Sequence, residues 1–278
     1  MKKSENEIVI KAGKSALHYW REVWRQRELF WILGKRDVMV RYKQTVLGIA
    51  WAVFRPLLTT LVMTFAFGKI AKMEVDATLP YMLIVIPGVI IWLFFSQCLS
   101  QISNSIVGNS NLVSKVYFPR IIIPFSSLLV GLLDAVIAFA MFFVFCLYYH
   151  FVPSWHIVFA PLFMLLAYLG AFGFGLIASV LNVKYRDIAQ IIPFIVQFGF
   201  FISPVGYTSE LRKDAWWYPY YNLNPVVGTI DGLRWSLLGD YSPFNWQSLI
   251  PTLVFVTISV IFAIWFFRKN ENSFVDYI

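Results

Sequence analysis

The chain has 278 residues, of which 59% are hydrophobic and only 14% charged, and its mean hydropathy is +0.68. Because soluble domains carry about 25% charged residues, this composition argues against a soluble protein and predicts an integral membrane protein. The net charge of +8 would indicate nucleic-acid binding in a soluble chain. Here all basic residues except Arg55 lie outside the apolar runs and follow membrane topology instead, so we expect no nucleic-acid partner.

The N-terminal segment, residues 1–45, is polar to amphipathic and has no early apolar run, so we predict a cytoplasmic segment and no cleaved signal peptide. Within it, residues 15–36 place tryptophans on one helical face and most charged residues on the other. Such a basic, Trp-rich helix is typical of one that lies in the membrane interface, and packing on a protein partner would fit the same pattern. We predict headgroup contacts for five residues: Trp20, Trp24, Arg27, Trp31 and Arg41.

Six apolar runs follow, and each is about long enough to cross a hydrocarbon core of about 30 Å as a helix. They cover residues 46–68, 82–106, 121–148, 157–181, 188–207 and 248–267. Helices are expected because a lone strand would leave its backbone groups unpaired in lipid. The sequence therefore predicts an all-α integral membrane protein with six transmembrane helices. The transmembrane domain occupies residues 46–267, and a cytoplasmic tail covers 268–278.

The basic residues are distributed unevenly between the two sides of this predicted bundle. If the N-terminus is cytoplasmic, 17 of the 23 Lys and Arg residues fall in inner segments and five in outer segments. An excess of Lys and Arg marks the cytoplasmic side of a membrane protein. The distribution therefore predicts that both termini lie in the cytoplasm.

Two connecting segments have an unusual composition. Residues 109–120 mix apolar and basic side chains, which fits either a short helix that docks into a cytoplasmic partner or a plain loop. Residues 208–247 are semi-apolar and rich in Trp and Tyr. They are interrupted by Pro219, Pro225, Gly228, Gly232 and Gly239. Because aromatic residues concentrate at headgroup level, we predict short re-entrant or interfacial helices on the outer side, with a small outer domain as the alternative.

The chain contains no recognisable catalytic or nucleotide-binding pattern. There is no G-x-x-x-x-G-K-[ST] sequence to cradle ATP phosphates, no acidic metal cluster, and no paired nucleophile and base. A G-x-G-x-x-A match at 173–178 lies inside an apolar run without a preceding strand. The same run carries small residues at every fourth position, Ala167, Ala171, Gly175 and Ser179, which favours close helix packing. We predict no catalytic, cofactor-binding or metal-binding residue and therefore no enzyme. A membrane-embedded glycosyl or prenyl transferase is the alternative of another class.

Two charged residues lie within the apolar runs. Asp134 is the one acid well inside a run, and such a residue either lines a polar pathway or pairs with a donor on a neighbouring helix. Arg55, beside Pro56 in the first run, either contacts lipid phosphate or anchors the helix. A secondary transporter would show an internal repeat and more intramembrane charge, which argues against that class.

Several stretches resemble, in order along the chain, the permeases of the ABC-2 polysaccharide exporter family. They are RYKQTVLGIAWAVFRPL (41–57), PGVIIWLFFSQCLSQISNSIVGNSNLVSKVYFPR (87–120), LNVKYRDIAQIIPFIVQFGFFISPVGY (181–207), LNPVVGTIDGLRWSLLG (223–239) and FRKNENSFVDYI (267–278). The resemblance is closest to O-antigen exporter permeases, and the teichoic-acid and capsule exporter permeases are similar.

The resemblance implies a type V ABC exporter-like fold in the bacterial cytoplasmic (inner) membrane. It implies a homodimer with a channel between the copies and two ATP-binding cassette subunits that dock from the cytoplasm. ATP and Mg would be bound by those subunits and no cofactor by this chain. The substrate would be a polysaccharide on a polyprenyl diphosphate lipid, with O-antigen as the first expectation and teichoic acid or capsule as the alternative.

The same resemblance implies roles for particular residues. Residues 109–120 would be the coupling helix that seats in the ATPase, through Asn109, Asn111, Lys115, Tyr117, Phe118, Pro119 and Arg120. Rings from the first and fifth spans would line the channel, namely Trp51, Phe54, Phe194, Phe198 and Phe201. The outer gate within 208–247 would use Trp216, Trp217, Tyr220 and Tyr221. Replacing Tyr117 or Phe118 by Ala is expected to uncouple export while leaving the protein folded.

Overall fold

The computed structural model describes residues 16–43, 48–71, 79–209 and 216–277. Its longer helices are α1 (Ala16–Arg25), α2 (Arg27–Lys43), α3 (Gly48–Met63, extended by a π-helical segment, Thr64–Ile70), α4 (Tyr81–Gly108), α6 (Ile122–Tyr148), α7 (Ala160–Lys184), α8 (Ile188–Ile202), α10 (Val227–Leu238) and α11 (Trp246–Asn270). Shorter helices are α5 (Ser110–Lys115), α9 (Tyr218–Tyr221) and α12 (Phe274–Tyr277). Within the described ranges the chain is helical and forms no strand, as the predicted all-α class requires.

Some predicted features lie outside the described residues. They are positions 1–15 of the N-terminal segment, positions 46–47 at the start of the first apolar run, and positions 210–215 of the predicted outer helices.

Helix α4 forms the centre of the bundle. Its first half, residues 81–95, is apolar on every side, a pattern typical of a helix surrounded by protein, and most side chains of α4 are buried. It packs against α7 on one side and α6 on another, and α7 also contacts α11. The long helices therefore surround α4 and leave their own outer faces to the environment.

The small-residue ladder of α7 is the face that packs on α4, which confirms its interpretation as a packing motif. Ala167, Ala171, Gly175 and Ser179 are all buried. A Cβ atom at Gly175 would lie 2.8 Å from the Cβ of Ile102 on α4, closer than side chains approach one another. The missing side chain lets the two helices pack at short distance.

Within the part of the chain that the structure describes, five helical segments are long and apolar enough to cross a membrane. They are Ala50–Ile70, Tyr81–Gly108, Ile122–Tyr148, Trp155–Lys184 and Trp246–Ser273. The predicted fifth run, 188–207, differs because its helix α8 has only 15 residues, about 22 Å at 1.5 Å per residue. Ser203 is extended and precedes Pro204, and the residue before a proline disfavours the helical conformation. α8 alone is therefore shorter than a full crossing.

The predicted amphipathic helix 15–36 is two helices, α1 and α2, which are separated at Gln26 and continue to Lys43. Trp24 and Trp31 are exposed, as contact with lipid headgroups would require. Gly34 is buried against Leu129 of α6, so α2 crosses α6 and is partly a bundle helix. The orientation of α1 in a membrane interface stays a prediction.

The predicted outer segment belongs to the bundle and does not form a separate domain. Helix α10 packs against α4, α7 and α11 and has 12 residues, about 18 Å and too short to cross. Gly228 faces the carbonyl of Ser248 and Gly232 faces the ring of Phe163, so glycines let α10 approach α11 and α7 closely. Gly239 ends the helix with φ of +61°, a conformation that favours glycine. Re-entry into a membrane stays a prediction.

Candidate functional site: a cationic cavity beside α3

A cavity of about 560 Å³ lies between α3, α4 and α6, with one wall from the end of α2. Its polar lining side chains are Arg41, Arg55, Thr59, Gln97 and Asp134, and its apolar lining comes from Trp51, Ala52, Pro56, Leu58, Ile90, Leu93, Phe94, Ala135 and Ala138. Pockets for small ligands are mostly apolar with a few placed polar groups, and this lining has that character. Two arginines and one carboxylate give it an excess of positive charge.

Asp134 is held in this wall by two residues of α2. The Arg41 Nη2 atom lies 2.7 Å from Asp134 Oδ2, and the Tyr42 hydroxyl donates a hydrogen bond to Asp134 Oδ1. Burial, together with the neighbouring carboxylate, raises the pKa of Tyr42 well above its usual value, so the hydroxyl remains a proton donor at physiological pH. The structure shows Asp134 paired with donors on a neighbouring helix and places it in the cavity wall; a role in a polar pathway stays a prediction.

Arg41 and Arg55 differ in how their charges are compensated. Arg41 forms an ion pair with Asp134, and its predicted contact with headgroups stays a prediction. Arg55 is exposed on α3, and none of the ion pairs among the described residues includes it. An arginine in a membrane-length helix is costly without an anionic partner. The guanidinium of Arg55 is thus an uncompensated cation at the cavity wall.

A second cavity of about 470 Å³ continues from the first along α3 toward α8. Both cavities are lined by Arg55, Leu58, Thr59 and Leu93. The second one adds Ser96 and Gln197 together with the rings of Trp92, Phe200 and Phe201. The two form one groove across α4, with Arg55 where they meet.

All five rings predicted to line a channel lie on the outer surface of the bundle. Trp51, Phe54, Phe194, Phe198 and Phe201 are each half exposed or more. Trp51 lines the first cavity and Phe201 the second, while Phe194 and Phe198 stack with centroids 6.4 Å apart. Exposure of this kind suits a channel between two copies and equally suits contact with lipid, so the channel role stays a prediction.

The predicted coupling segment 109–120 contains the short helix α5 and divides into an exposed and a buried part. Asn111, Lys115 and Tyr117 are exposed, and these side chains are free to meet a partner. Phe118 and Pro119 are buried. The expectation that Phe118 can be truncated without affecting the fold is therefore wrong, because its ring packs into the core at 5% exposure.

The two ends of this segment are tied to distant parts of the chain. At the start, the Arg36 Nη2 atom donates to Asn109 Oδ1 at 2.8 Å. At the end, the Arg120 main-chain N–H donates to Glu271 Oε1 at 2.8 Å, and its guanidinium donates to the Glu271 carbonyl. Arg120 also lies 5.9 Å above the ring of Phe274. Asn109 and Arg120 therefore have structural partners of their own.

Residues 268–278, predicted as a tail, fold back onto the bundle where described. α11 continues to Asn270, Phe274 is 1% exposed, and Arg268 lies 4.7 Å above the ring of Tyr19 in α1. Sequence reasoning missed Glu271. The available signal was an acid four positions beyond the last apolar run, close to the basic pair Arg268 and Lys269.

The predicted outer-gate residues surround the short helix α9. Trp216 is exposed, and Trp217 makes an edge contact with Tyr221 at 5.8 Å between centroids. The Tyr221 hydroxyl donates to the Tyr207 hydroxyl at 3.2 Å, which connects α9 to the chain that follows α8. Tyr220 is exposed. A gating role stays a prediction.

A buried ionic cluster in α10 was not predicted. Arg234 is 1% exposed, although it is one of the five basic residues counted in the predicted outer segments. It donates to the carbonyls of Ile84, Pro204 and Val205 at 2.9, 2.6 and 3.3 Å and lies 3.8 Å from Asp231. The available signal was the three-residue spacing of Asp231 and Arg234, which places opposite charges on one face of a Gly-rich helix.

These features describe a multi-pass helical membrane protein with a cationic groove and no catalytic constellation among the described residues. Residues 28–238 match the ABC-2 type transporter membrane family, and the chain belongs to that family of transporter permeases, which are not enzymes. It is similar to an O-antigen export system permease protein RfbA of Klebsiella pneumoniae, with 25% identity over 90% of this chain and 94% of that protein. It is also similar to the protein of the same name from Myxococcus xanthus, with 25% identity over 92% of this chain and 97% of that protein.

Proposed function

We propose that this chain is the transmembrane subunit of an ATP-driven exporter that moves polyprenyl-diphosphate-linked polysaccharide from the inner to the outer face of the bacterial cytoplasmic membrane. O-antigen is the proposed polymer. The observation that carries the proposal is the similarity, over nine-tenths of the chain, to permeases named for O-antigen export. Two copies of the chain would form the channel, and two ATP-binding cassette subunits would bind ATP and Mg.

The groove along α3 has the chemistry that a lipid-linked sugar polymer requires. Arg55 offers positive charge for the phosphates of a carrier lipid. The rings of Trp51 and Phe201, one in each cavity, offer flat apolar faces to sugars, whose axial C–H bonds pack against aromatic rings. Because such contacts depend little on register, a polymer can slide along them.

The membrane topology in this proposal needs an even number of crossings. Both termini lie in the cytoplasm if α8 and the chain that follows it to Tyr207 form the remaining crossing beside the five long segments. Residues 203–206 form a turn that is buried in the bundle, and non-helical backbone is tolerated at membrane depth where protein buries it. The excess of Lys and Arg in the inner segments supports this arrangement.

The exposed part of the coupling segment is the proposed contact with the ATP-binding cassette subunits. Asn111, Lys115 and Tyr117 are exposed, while the segment is anchored at both ends by Asn109 and Arg120. An anchored surface helix transmits displacement to the bundle and does not absorb it. Closure of the ATPase subunits would thus move α4 and α6, which this segment joins.

The proposal is tested by purifying the tagged full chain from its own bacterium in mild detergent and assaying ATP hydrolysis of the complex. Tyr117→Ala is compared with Tyr148→Ala, which changes an even more exposed tyrosine outside the segment. We expect a co-purifying ATPase with the parent, loss of surface polysaccharide with Tyr117→Ala, and normal export with Tyr148→Ala. Absence of any ATP-hydrolysing subunit, or unchanged export in both variants, would contradict the proposal.

A further inference from the structure

The cavity wall contains a charge imbalance that a ligand of opposite charge would remove. Arg41 is neutralised by Asp134 at 2.7 Å, and Asp134 is fixed in addition by Tyr42. Arg55 faces the same cavity with no ion-pair partner among the described residues. The groups present therefore leave one net positive charge at a cavity with apolar walls, where charges are weakly screened.

The lining also supplies the donors that an anion needs besides charge. Gln97 lies in the same wall, and its side-chain amide carries two N–H donors. Arg41 lies in the same wall, where it pairs with Asp134. Asp134, the one acid in the lining of this cavity, does not compete with a ligand for Arg55, because it is already bound to two donors of α2.

A phosphate ester matches the geometry of a guanidinium, as a carboxylate does, because two parallel N–H donors meet two of its oxygens. The apolar remainder of the wall, which includes Trp51, Leu58 and Leu93, suits the hydrocarbon next to such a group. We propose that this cavity is a subsite for the diphosphate of a lipid, with Arg55 as its principal ligand and Arg41 and Gln97 as supporting donors. The inference rests on the proposed function for the identity of that lipid.

Asp134 has a definite part in this assignment. By holding Arg41 it sets the net charge of the cavity at one positive charge and keeps the second arginine in place. Removing the carboxylate charge would raise the net positive charge of the cavity by one. The proposal therefore requires that Asp134→Asn strengthens anion binding, a result that a purely structural role for the carboxylate would not produce.

The experiment measures binding of farnesyl diphosphate to the full chain purified in mild detergent together with any subunits that accompany it. Arg55→Gln is compared with Lys69→Gln, which removes the same charge from the far end of the same helical segment. Folding of each variant is checked through Cys98 and Cys146, whose thiols are buried and react with a maleimide dye only after unfolding. Arg55→Lys retains the charge without the bidentate geometry.

We expect Arg55→Gln to weaken binding about tenfold or more, since a charge-assisted hydrogen bond is worth about that factor. Lys69→Gln should bind as the parent does, Arg55→Lys should be intermediate, and Asp134→Asn should bind more tightly. Equal binding by the parent and Arg55→Gln, or equal weakening by Lys69→Gln, would overturn the proposal.

Two further arms distinguish the source of the phosphate. Farnesyl monophosphate should bind more weakly than the diphosphate, and phosphatidylglycerol at equal concentration should not displace the diphosphate. If phosphatidylglycerol competes fully, the diphosphate assignment is overturned in favour of ordinary membrane lipid. Because none of these measurements depends on ATP or on polymer export, their failure is distinguishable from failure of the proposed function.

Discussion

Replacing Arg234 by Met should destabilise the fold more than any surface change, because the guanidinium connects three separate parts of the chain. It donates to the carbonyl of Ile84 in α4 and to those of Pro204 and Val205 after α8. Met is of similar length and apolar, so the substitution removes charge and donors without leaving a large cavity. It leaves three carbonyls short of a donor and the Asp231 carboxylate without its cation at 3.8 Å.

The size of the effect follows from the burial of the group. Removing one partner of a buried, hydrogen-bonded ion pair costs about 3–5 kcal/mol. Most of that cost arises because the other charge stays buried without its counter-ion. Asp231 keeps the Ser209 hydroxyl as a donor at 2.5 Å, so we expect the lower half of that range. Asp231→Asn in the Arg234→Met background should recover part of the lost stability, because it removes the carboxylate charge that Arg234 faced.

The assay is unfolding in mixed micelles with increasing SDS, followed by maleimide labelling of Cys98 and Cys146, both buried in the folded chain. The four proteins of the double-mutant cycle share the same denatured state to a first approximation, so the coupling energy is read from the midpoints. If Arg234→Met lowers the free energy of unfolding by less than about 1 kcal/mol, or if the double variant recovers none of the lost stability, the argument is refuted.

Three further predictions use residues that the structure places in close contact. Phe118→Ala should destabilise the fold by about 3–5 kcal/mol, since it empties a core position, and SDS midpoints with a normal value would contradict its burial. Gly175→Ala should cost about 1–3 kcal/mol by overpacking, whereas Gly108→Ala, whose added methyl group meets nothing within 4 Å, should leave the midpoint nearly unchanged. Glu271→Ala should increase hydrogen exchange at the amide of Arg120, measured by mass spectrometry, because that amide loses its acceptor; unchanged protection would show that the contact is unimportant.

The sequence predicted the helical membrane class and most of the long helices because hydropathy and helix length are local properties. In the structure, the helix of the predicted fifth run ends at Ile202, before Ser203 and Pro204. The apolar composition continues beyond this point, but the backbone cannot stay helical there. The local rule that identifies a proline boundary was available and was outweighed by hydropathy. Length alone therefore overestimated one span.

The candidate site was only partly predictable, because its key interactions join residues far apart in the sequence. Asp134 and Arg55 were singled out as charges in apolar runs, but the partner of Asp134 on α2 depends on how α2 crosses α6. The burial of Arg234 depends on carbonyls about 150 positions away in the case of Ile84. No pattern within a single segment contains such information. The burial of Phe118 was not predictable for the same reason, because its contacts are set by tertiary packing and not by the residues next to it in the sequence.

The folding of residues 271–277 onto the bundle has a practical consequence for handling the protein. Phe274 is almost fully buried and Glu271 accepts from the main chain of Arg120, so these residues are not a dispensable extension. Truncation after Asn270 would remove an internal support, and an affinity tag attached there without a spacer would compete with it. Tags and fluorescent fusions should therefore follow a flexible linker. The folding of shortened versions of the chain should be checked before any loss of export is attributed to a functional role of the residues removed.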